Sequence, residues 1–488
     1  MAGLPEAVVN SVASLGLNGS TEHTNGVLED VVVKNICCVG AGYVGGPTAA
    51  VIAFQNPHIK VTVVDRDVTR IRRWNSKHPP IYEPGLRDIV RVARDGGRRI
   101  VFDSSEGDAD KTEVGVRPGN LFFTTDVGKS IGEADIVLVS VNTPTKYRGV
   151  GAGSATDMTA FEAVTGVVAQ FAREGAIIVE KSTVPCRTAQ LVADTLNMHR
   201  PGVHFEILSN PEFLAAGTAV NDLLYPDRIL IGSAPTPSGK KAAEALVNVY
   251  NAWVPRDRIL TTNVWSSELA KLVANSMLAQ RISSINSISA VCEQTGADVD
   301  EVAKAVGVDP RIGNKFLVAG IGFGGSCFKK DVLNLVYLAD TMGLPEVGEY
   351  WRQVVKMNEY ARDRFTNRVI KCLNNTLPSA NDVLALHKHL LQREGETSSD
   401  PLGRYNPEPA CPEDCPDCLQ QAASKETGFA TGMGSAEEYK ARERLDWVRI
   451  ADTMAKPRWV FDGRGVIDSR EMTKLGVRVE SVGRQHRF

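Results

Sequence analysis

The chain has 488 residues, of which 43% are hydrophobic and 23% are charged, with 55 basic and 58 acidic side chains. This composition is that of a globular protein and excludes a disordered or fibrous chain. The net charge of −3 gives no signal of general binding to polyanions such as nucleic acid. At about 150 residues per domain we expect about three domains. No run of apolar residues is long enough to predict a membrane span.

The first 32 residues are rich in Ser, Asn, Gly and Glu, which predicts a disordered tail. This segment lacks the basic and apolar regions of a signal peptide, so we expect a cytoplasmic protein. In that compartment the nine cysteines are expected to be reduced thiols.

Residues 33–240 are predicted to form a Rossmann-like domain with a doubly wound sheet. The apolar run Lys34–Val39 is followed by a glycine-rich turn, a helical segment to Phe54, and a second strand, Val61–Val64, that ends on Asp65. This order predicts a dinucleotide site: phosphates meet the helix N-terminus, and Asp65 accepts hydrogen bonds from ribose hydroxyls. The acid repels a 2′-phosphate, which favours NAD over NADP. The alternative is a purely structural turn. The turn consists of Gly40, Ala41, Gly42, Tyr43, Val44 and Gly45.

Three further strands are predicted at Leu121–Phe123, Ile136–Val141 and Ile177–Val179. The last two lead into polar loops, and loops at the carboxyl ends of parallel strands bind ligands. Residues 91–120 are charged and Gly-rich without clear periodicity, so we expect an inserted surface loop there.

Residues 241–375 are predicted to be a helical central domain. A long helix is expected from Ser266 to Gly296, capped by Ser266 or Ser267 and ended by Gly296. Further helices are expected over Val299–Val306, Val332–Met342 and Glu346–Leu373.

Residues 376–488 change in character. We predict a helix over 381–395, a Pro-, Gly- and Cys-rich segment over 396–434, order again over 439–454, and strands at Trp459–Phe461 and Val477–Val479. A C-x3-C-x2-C pattern with two upstream histidines leaves two alternatives, a metal site or a reduced loop. The second half of a standard ligand pair is missing, so no metal site is predicted. The residues concerned are His387, His389, Cys411, Cys415 and Cys418.

The most reactive group in the chain is predicted to be Cys327. A glycine loop, Gly322-Phe323-Gly324, leads to a helix expected to begin near Ser326, with Cys327 in its first turn. The helix dipole stabilises a thiolate there, and Asp331, four residues on, lies on the same face. The alternative is a buried, apolar cysteine.

Two other groups have polar side chains in apolar surroundings. Lys271 and Asn275 lie one turn apart on the long helix, and both could donate hydrogen bonds to an oxyanion. The alternative is that the Lys271 side chain extends along the apolar surface to solvent. Glu212 stands in the turn Asn210–Leu214, where an apolar setting would raise its pKa and suit a general base. The alternative for Glu212 is an ordinary turn acid.

Ten motifs, in this order, closely resemble those of the UDP-glucose 6-dehydrogenase family. They are GAGYVGGPT, VTVVD, PIYEPGL, SVNTPT, EKSTVP, SNPEFLA, WSSELAKLVAN, RISSINSISA, RIGNKFL and GFGGSCFKKD. The resemblance runs from about residue 34 to about residue 375, interrupted by residues 91–120. Related nucleotide-sugar dehydrogenases share the pattern more loosely.

The resemblance implies a two-step, four-electron oxidation of UDP-glucose to UDP-glucuronate with two NAD. Cys327 would attack the C6 aldehyde to give a thiohemiacetal, and a second hydride transfer would give a thioester that water hydrolyses. Lys271 and Asn275 would stabilise the oxyanions, and Asp331 would support the base or the attacking water. Glu212 and Thr183 would assist proton transfer and water placement.

The resemblance also implies the binding residues and the partners. Arg311 would reach the sugar nucleotide across a dimer interface, so we expect a homo-oligomer built on dimers, with no nucleic-acid or membrane partner. The NAD site would consist of residues 40–45, Asp65, Arg70, Val141, Asn142, Thr143, Pro144, Thr145, Ser182, Thr183 and Lys330. The UDP-glucose site would consist of Glu212, Phe213, Leu214, Lys271, Asn275, Arg311, Gly322, Phe323, Gly324 and Arg464.

The chain departs from the family pattern in three places. Ala216 replaces an acid and Val318 replaces a lysine, and in the C-terminal third segments resembling GFAFKKDTGDTRES and VVICTEW are absent. We therefore expect a degenerate C-terminal α/β nucleotide-binding domain. The alternative function is a catalytically impaired paralogue that binds NAD and acts as a regulatory or hetero-oligomer subunit.

Overall fold

A computed structural model describes residues 32–102, 111–324, 327–374, 447–454 and 458–484. The expected N-terminal tail lies almost wholly outside the described residues. So do the predicted helix over 381–395, the segment 396–434 and the cysteine pattern around Cys411. None of the helices among the described residues combines the length and the apolarity that a membrane crossing requires.

The described chain alternates strands and helices in its first half and is helical in its second. The strands are β1 Asn35–Val39, β2 Lys60–Val64, β3 Gly97–Phe102, β4 Lys111–Arg117, β5 Leu121–Thr124, β6 Ile136–Val139, β7 Ile177–Glu180, β8 Glu206–Ser209, β9 Ile229–Ser233, β10 Ile259–Asn263, β11 Trp459–Asp462 and β12 Arg478–Ser481. The helices are α1 Gly45–Gln55, α2 Val68–Trp74, α3 Leu86–Asp95, α4 Val127–Gly132, α5 Thr159–Phe171, α6 Thr188–His199, α7 Ala219–Leu224, α8 Pro237–Tyr250, α9 Val264–Thr295, α10 Val299–Gly307, α11 Phe328–Thr341, α12 Pro345–Asn374, α13 Trp447–Thr453 and α14 Ser469–Lys474.

Eight strands form one sheet in the order β10-β9-β8-β7-β6-β1-β2-β5. All neighbours pair in parallel except β8 and β9, which are antiparallel. Strands β6 and β7 are buried along their whole length, and separate apolar clusters cover the two faces of the sheet. This confirms the predicted doubly wound, Rossmann-like fold. The sheet continues to Asn263, past the boundary expected at residue 240.

The prediction that residues 91–120 form an inserted surface loop is wrong. Its first residues complete α3, and β3 and β4 pair as an antiparallel hairpin. The β-branched and aromatic residues within the charged sequence favour strands, and pairing satisfies their backbone groups. The end of the segment is anchored, because the buried Asn120 amide donates to the carbonyl oxygens of Ala53, Asn56 and Ile59 at 2.8–2.9 Å.

The long helix α9 begins earlier than predicted. The Asn263 side chain, and not Ser266 or Ser267, caps it by accepting a 2.8 Å hydrogen bond from the Ser266 amide. Gly296 ends it with φ 83°, as predicted. Helices α9, α11 and α12 pack together, and α11 begins at Phe328, so Cys327 is its N-cap residue and does not lie in its first turn.

The described C-terminal strands β11 and β12 pair in parallel. Val482, directly after β12, packs in an apolar cluster with residues of α9 and α10. The buried Glu293 of α9 accepts a 2.8 Å hydrogen bond from the Gly483 amide. The same carboxylate forms ion pairs with Arg364 and Arg368 of α12. A buried acid with these partners fixes the last described residues against the central helices.

Two glycines in the turn between β1 and α1 provide a test of the backbone geometry of that turn. Gly40 has φ +110°, and a Cβ there would overlap the Ser140 carbonyl oxygen, so Gly40→Ala is expected to lower the free energy of unfolding by at least ~2 kcal/mol. At Gly42 a Cβ meets no described heavy atom within 4 Å, so Gly42→Ala, the control, should change it by less than ~0.5 kcal/mol. Denaturant unfolding measures both values, and equal values would contradict the geometry.

Candidate active site

The turn between β1 and α1 leaves room for a ligand only at its centre. A Cβ at Gly45 would overlap the Gly40 carbonyl oxygen, so this glycine permits close packing. Beside Gly42 the space is open. Helix α1 begins at Gly45, at the end of this turn, and a helix N-terminus suits a pyrophosphate.

Asp65 stands just beyond β2 with its carboxylate fixed in place. Its Oδ2 accepts hydrogen bonds from the Ala41 amide at 2.9 Å and from an Arg70 guanidinium nitrogen at 3.0 Å. Its Oδ1 accepts from the Asp67 amide at 2.9 Å. An oriented carboxylate at this strand end fits the hydroxyls of an adenosine ribose, so these residues fit NAD.

The loops after β6 and β7 are bonded to each other and to α11. Ser182 Oγ accepts a 2.9 Å hydrogen bond from the Val141 amide, and Thr143 Oγ1 donates to the Thr183 carbonyl oxygen at 2.7 Å. From α11, Lys330 Nζ donates to the Thr143 carbonyl oxygen at 3.1 Å. The loops Val141–Thr145 and Ser182–Thr183 therefore lie against the helix that Cys327 caps.

Cys327 is exposed at the N-cap of α11, and Asp331 is buried one turn further on. The Asp331 amide donates to the Cys327 carbonyl oxygen at 2.9 Å. Asn275 Nδ2 donates to Asp331 Oδ2 at 2.6 Å. Burial raises the pKa of the Asp331 carboxyl, an effect that Lys330, Asn275 and Lys271 oppose only in part. A carboxylate whose pKa is raised is a stronger base than an ordinary one and is suited to accept a proton.

Lys271 is buried beside the same acid. Its Nζ lies 5.0 Å from the centre of the Phe213 ring. Burial lowers the pKa of the Lys271 ammonium, while the charges of Asp331, Glu212 and Cys327 oppose that effect. The structure therefore brings together the predicted cluster of Lys271, Asn275, Glu212, Cys327 and Asp331, and the lysine does not reach into solvent.

The predicted raised pKa of Glu212 is wrong. Burial alone would raise it, but the Lys181 ammonium, 2.9 Å from Glu212 Oε2, and a hydrogen bond from the Phe213 amide hold it below its ordinary value. Glu212 is thus an ionised acceptor in this structure. The sequence argument considered the apolar neighbours in the turn and missed the cation from the neighbouring strand end.

Sequence reasoning missed two further polar positions. Lys181 contacts Asn210 and Tyr250 as well as Glu212, and its position directly after a buried strand, within EKSTVP, was the available signal. Asn358 of α12 clamps the glycine loop: its Oδ1 accepts from the Phe323 amide at 2.7 Å, and its Nδ2 donates to the Phe323 carbonyl oxygen at 3.0 Å. No sequence signal marked Asn358.

Two predicted substrate residues are not joined to this cluster. The Arg311 side chain is 87% exposed and pairs with Asp309. Arg464 is exposed in the turn after β11, where its amide donates to Asp462. Gly322, Phe323, Gly324, Phe213 and Leu214 lie in the two loops next to the cluster.

Two sequence models of one protein family together match this chain over most of its described length. The sequence model of the UDP-glucose/GDP-mannose dehydrogenase family, NAD binding domain, matches residues 34–114 and 106–254. The model of the central domain of the same family matches residues 265–360.

The chain is similar to named relatives over most of its length. It is 46% identical to UDP-glucose 6-dehydrogenase 5 of Oryza sativa subsp. japonica, with 92% of this chain and 97% of the relative covered. It is 45% identical, at the same coverage, to UDP-glucose 6-dehydrogenase 3 of Arabidopsis thaliana.

Solved structures share the fold. A UDP-glucose dehydrogenase from Pyrobaculum islandicum is 29% identical, with a TM-score of 0.58 over 74% of each chain. A UDP-D-ManNAc dehydrogenase from Pyrococcus horikoshii is 21% identical, with a TM-score of 0.61 over 92% of this chain and 99% of that one. The second likeness concerns the fold alone.

The cysteines offer a direct test of the site. Cys327 is exposed at a helix N-terminus, whereas Cys37 and Cys38 are buried, and burial raises the pKa of the Cys38 thiol to about 12. Under limiting iodoacetamide at neutral pH, Cys327 should be alkylated in the native protein while Cys37 and Cys38 are protected. Peptide mass spectrometry measures this, with urea-unfolded protein as the control. Native labelling of Cys38 ahead of Cys327 would contradict the structure.

Proposed function

The chain belongs to the UDP-glucose/GDP-mannose dehydrogenase family, and from that premise we propose that it is an NAD-dependent UDP-glucose 6-dehydrogenase. One observation carries the proposal at the level of the site: an exposed thiol at the N-terminus of α11 stands with Lys271, Asn275 and Asp331. A nucleophile, two donors for an oxyanion and a base are the groups that oxidation of an aldehyde to an acid through a thioester requires.

Each residue of the cluster has a defined role. NAD, when bound, accepts the hydride in both oxidations. The Cys327 thiolate adds to the C6 aldehyde carbon, and the resulting alkoxide oxygen is stabilised by the Lys271 ammonium and the Asn275 amide. After the second hydride leaves, the substrate is a thioester of Cys327. Asp331 accepts a proton from the attacking water, and the thiolate departs as the carboxylate of UDP-glucuronate forms.

Glu212 and Thr183 are proposed to place the attacking water. Glu212 acts as an acceptor and not as the principal base, because the pKa of its carboxyl is lowered while that of Asp331 is raised. Phe213, Leu214 and the loop Gly322–Gly324 would line the sugar. The turn 40–45, Asp65, Arg70, the loops 141–145 and 182–183, and Lys330 would bind NAD.

The alternative of a catalytically impaired paralogue receives no support. The chain covers 97% of the Oryza relative named UDP-glucose 6-dehydrogenase 5. Cys327, Lys271, Asn275 and Asp331 are all present in the sequence, and Asn275 Nδ2 donates to Asp331 Oδ2.

Assembly and location are further parts of the proposal. Subunits are proposed to pair as homodimers through α9, whose Met277 and Val291 are 53% and 55% exposed. Such a pairing would carry Arg311 to a neighbouring nucleotide. A cytoplasmic location is supported by the cysteines that the structure describes, which form no disulfide.

Turnover with UDP-glucose tests the function. Two NADH should form per UDP-glucose, followed at 340 nm, with UDP-glucuronate as product. Cys327→Ala should lower the rate of UDP-glucuronate formation by at least about 1,000-fold. The matched control is Cys372→Ala on α12, which should retain wild-type turnover. No NADH from the wild type, or full activity of Cys327→Ala, would contradict the proposal.

A further inference from the structure

Lys181 directly follows β7, and only 2% of its side chain is exposed. An ammonium held away from water is unfavourable unless it is paired and hydrogen-bonded. Burial alone would lower the pKa of Lys181, but Glu212 and Tyr250 raise it above its ordinary value. Lys181 therefore carries a positive charge inside the protein.

Three elements hold this ammonium in place. Lys181 Nζ donates to Asn210 Oδ1 at 3.1 Å, just after β8, and to the Tyr250 hydroxyl at 3.2 Å, at the end of α8. The Tyr250 hydroxyl donates to the same Asn210 Oδ1 at 2.7 Å. Asn210 Nδ2 donates to the Leu230 carbonyl oxygen of β9 at 2.8 Å. The charge thus has a defined position relative to the sheet.

The contact between Lys181 and Glu212 is a buried ion pair. Lys181 Nζ lies 2.9 Å from Glu212 Oε2. Glu212 Oε1 accepts a hydrogen bond from the Phe213 amide at 2.8 Å. Lys181 therefore balances the charge of Glu212, while the Phe213 amide holds the other carboxylate oxygen.

Other groups that face Glu212 come from two helices. Lys271 approaches from α9 and Tyr250 from α8, while Arg228 stacks on the adjoining Phe213 ring at 4.0 Å. Among the residues that the structure describes, Lys181 is the cation at ion-pair distance from Glu212, and Lys271 acts on Glu212 more weakly. Removing Lys181 would leave a buried carboxylate without its principal counter-charge.

We propose that Lys181 is a positioning residue for this reaction: its ammonium, fixed by Asn210 and Tyr250, holds the Glu212 carboxylate beside Lys271, where Glu212 places the water that attacks the thioester. This inference rests on the proposed function. Lys181 itself touches no reacting atom and acts through Glu212.

The variant Lys181→Met keeps approximately the length of the side chain and removes its charge. Glu212 then protonates at higher pH, so the acid-side fall of kcat moves to higher pH. At pH 7 kcat should fall about 100-fold while KM for UDP-glucose stays within about threefold. Lys240→Met, at an exposed position on α8, is the control and should leave the pH profile unchanged.

A double-mutant cycle separates positioning from a structural role. In the Glu212→Gln background, Lys181→Met should add less than about a twofold further loss and no shift of the acid limb. If Lys181→Met does not fold, Tyr250→Phe, which removes one bond to the ammonium, should shift the acid limb in the same direction by less. The inference is overturned if the loss of kcat in the double variant equals the product of the two single losses. It is also overturned if the acid limb of the folded Lys181→Met variant does not shift.

A readout without substrate distinguishes the two proposals. The carbon-13 resonance of the Glu212 carboxyl, assigned by its absence from Glu212→Gln, should titrate at higher pH in Lys181→Met than in the wild type. An inactive wild type with this shift would refute the proposed function alone. An unchanged titration in Lys181→Met would refute the positioning role whatever the activity.

Discussion

Among the buried polar side chains of α9, three meet partners on three different elements near the candidate site. Glu268 accepts hydrogen bonds from the Arg187 and Ala189 amides, at 2.6 and 2.8 Å, at the start of α6. One turn on, Lys271 lies over Phe213, and a further turn on, Asn275 donates to Asp331 of α11. Satisfying these groups fixes the loop after β7, the turn that holds Glu212 and the N-terminus of α11 relative to one another. The candidate active site lies where these requirements meet.

Burial and nearby charges shift the pKa values of these groups in opposite directions, and the balance between them differs from one residue to the next. For Asp331 burial prevails and raises the pKa, whereas for Glu212 the adjacent ammonium prevails and lowers it. Burial lowers the pKa of Lys271, although the nearby acids limit the change. Burial raises the pKa of the Glu180 carboxyl, and the neighbouring Glu268 raises it further. Burial also raises the pKa of Glu268, an effect that the Ala189 and Arg187 amides and Glu180 oppose. Similar carboxyl side chains thus have pKa values shifted in opposite directions by their surroundings.

Local patterns in the sequence predicted most of the first sheet, the glycine turn with Asp65, and the end of α9 at Gly296, because strands, glycine turns and helix ends have local causes. The hairpin within residues 91–120 was missed because its charged residues hide a weak strand pattern. Lys181 and Asn358 were missed because their partners are distant in sequence. The pKa of Glu212 was predicted with the wrong sign for the same reason, since the Lys181 ammonium reaches it only in the folded sheet.

The central claim is that Cys327 carries the substrate as a thioester that Asp331 helps water to release. Asp331→Asn should slow hydrolysis, so incubation with NAD and UDP-glucose should give a burst of two NADH per subunit. Mass spectrometry of the quenched protein should then find one UDP-glucuronyl group on the peptide that contains Cys327. A burst without an adduct, or an adduct on another residue, would contradict the account.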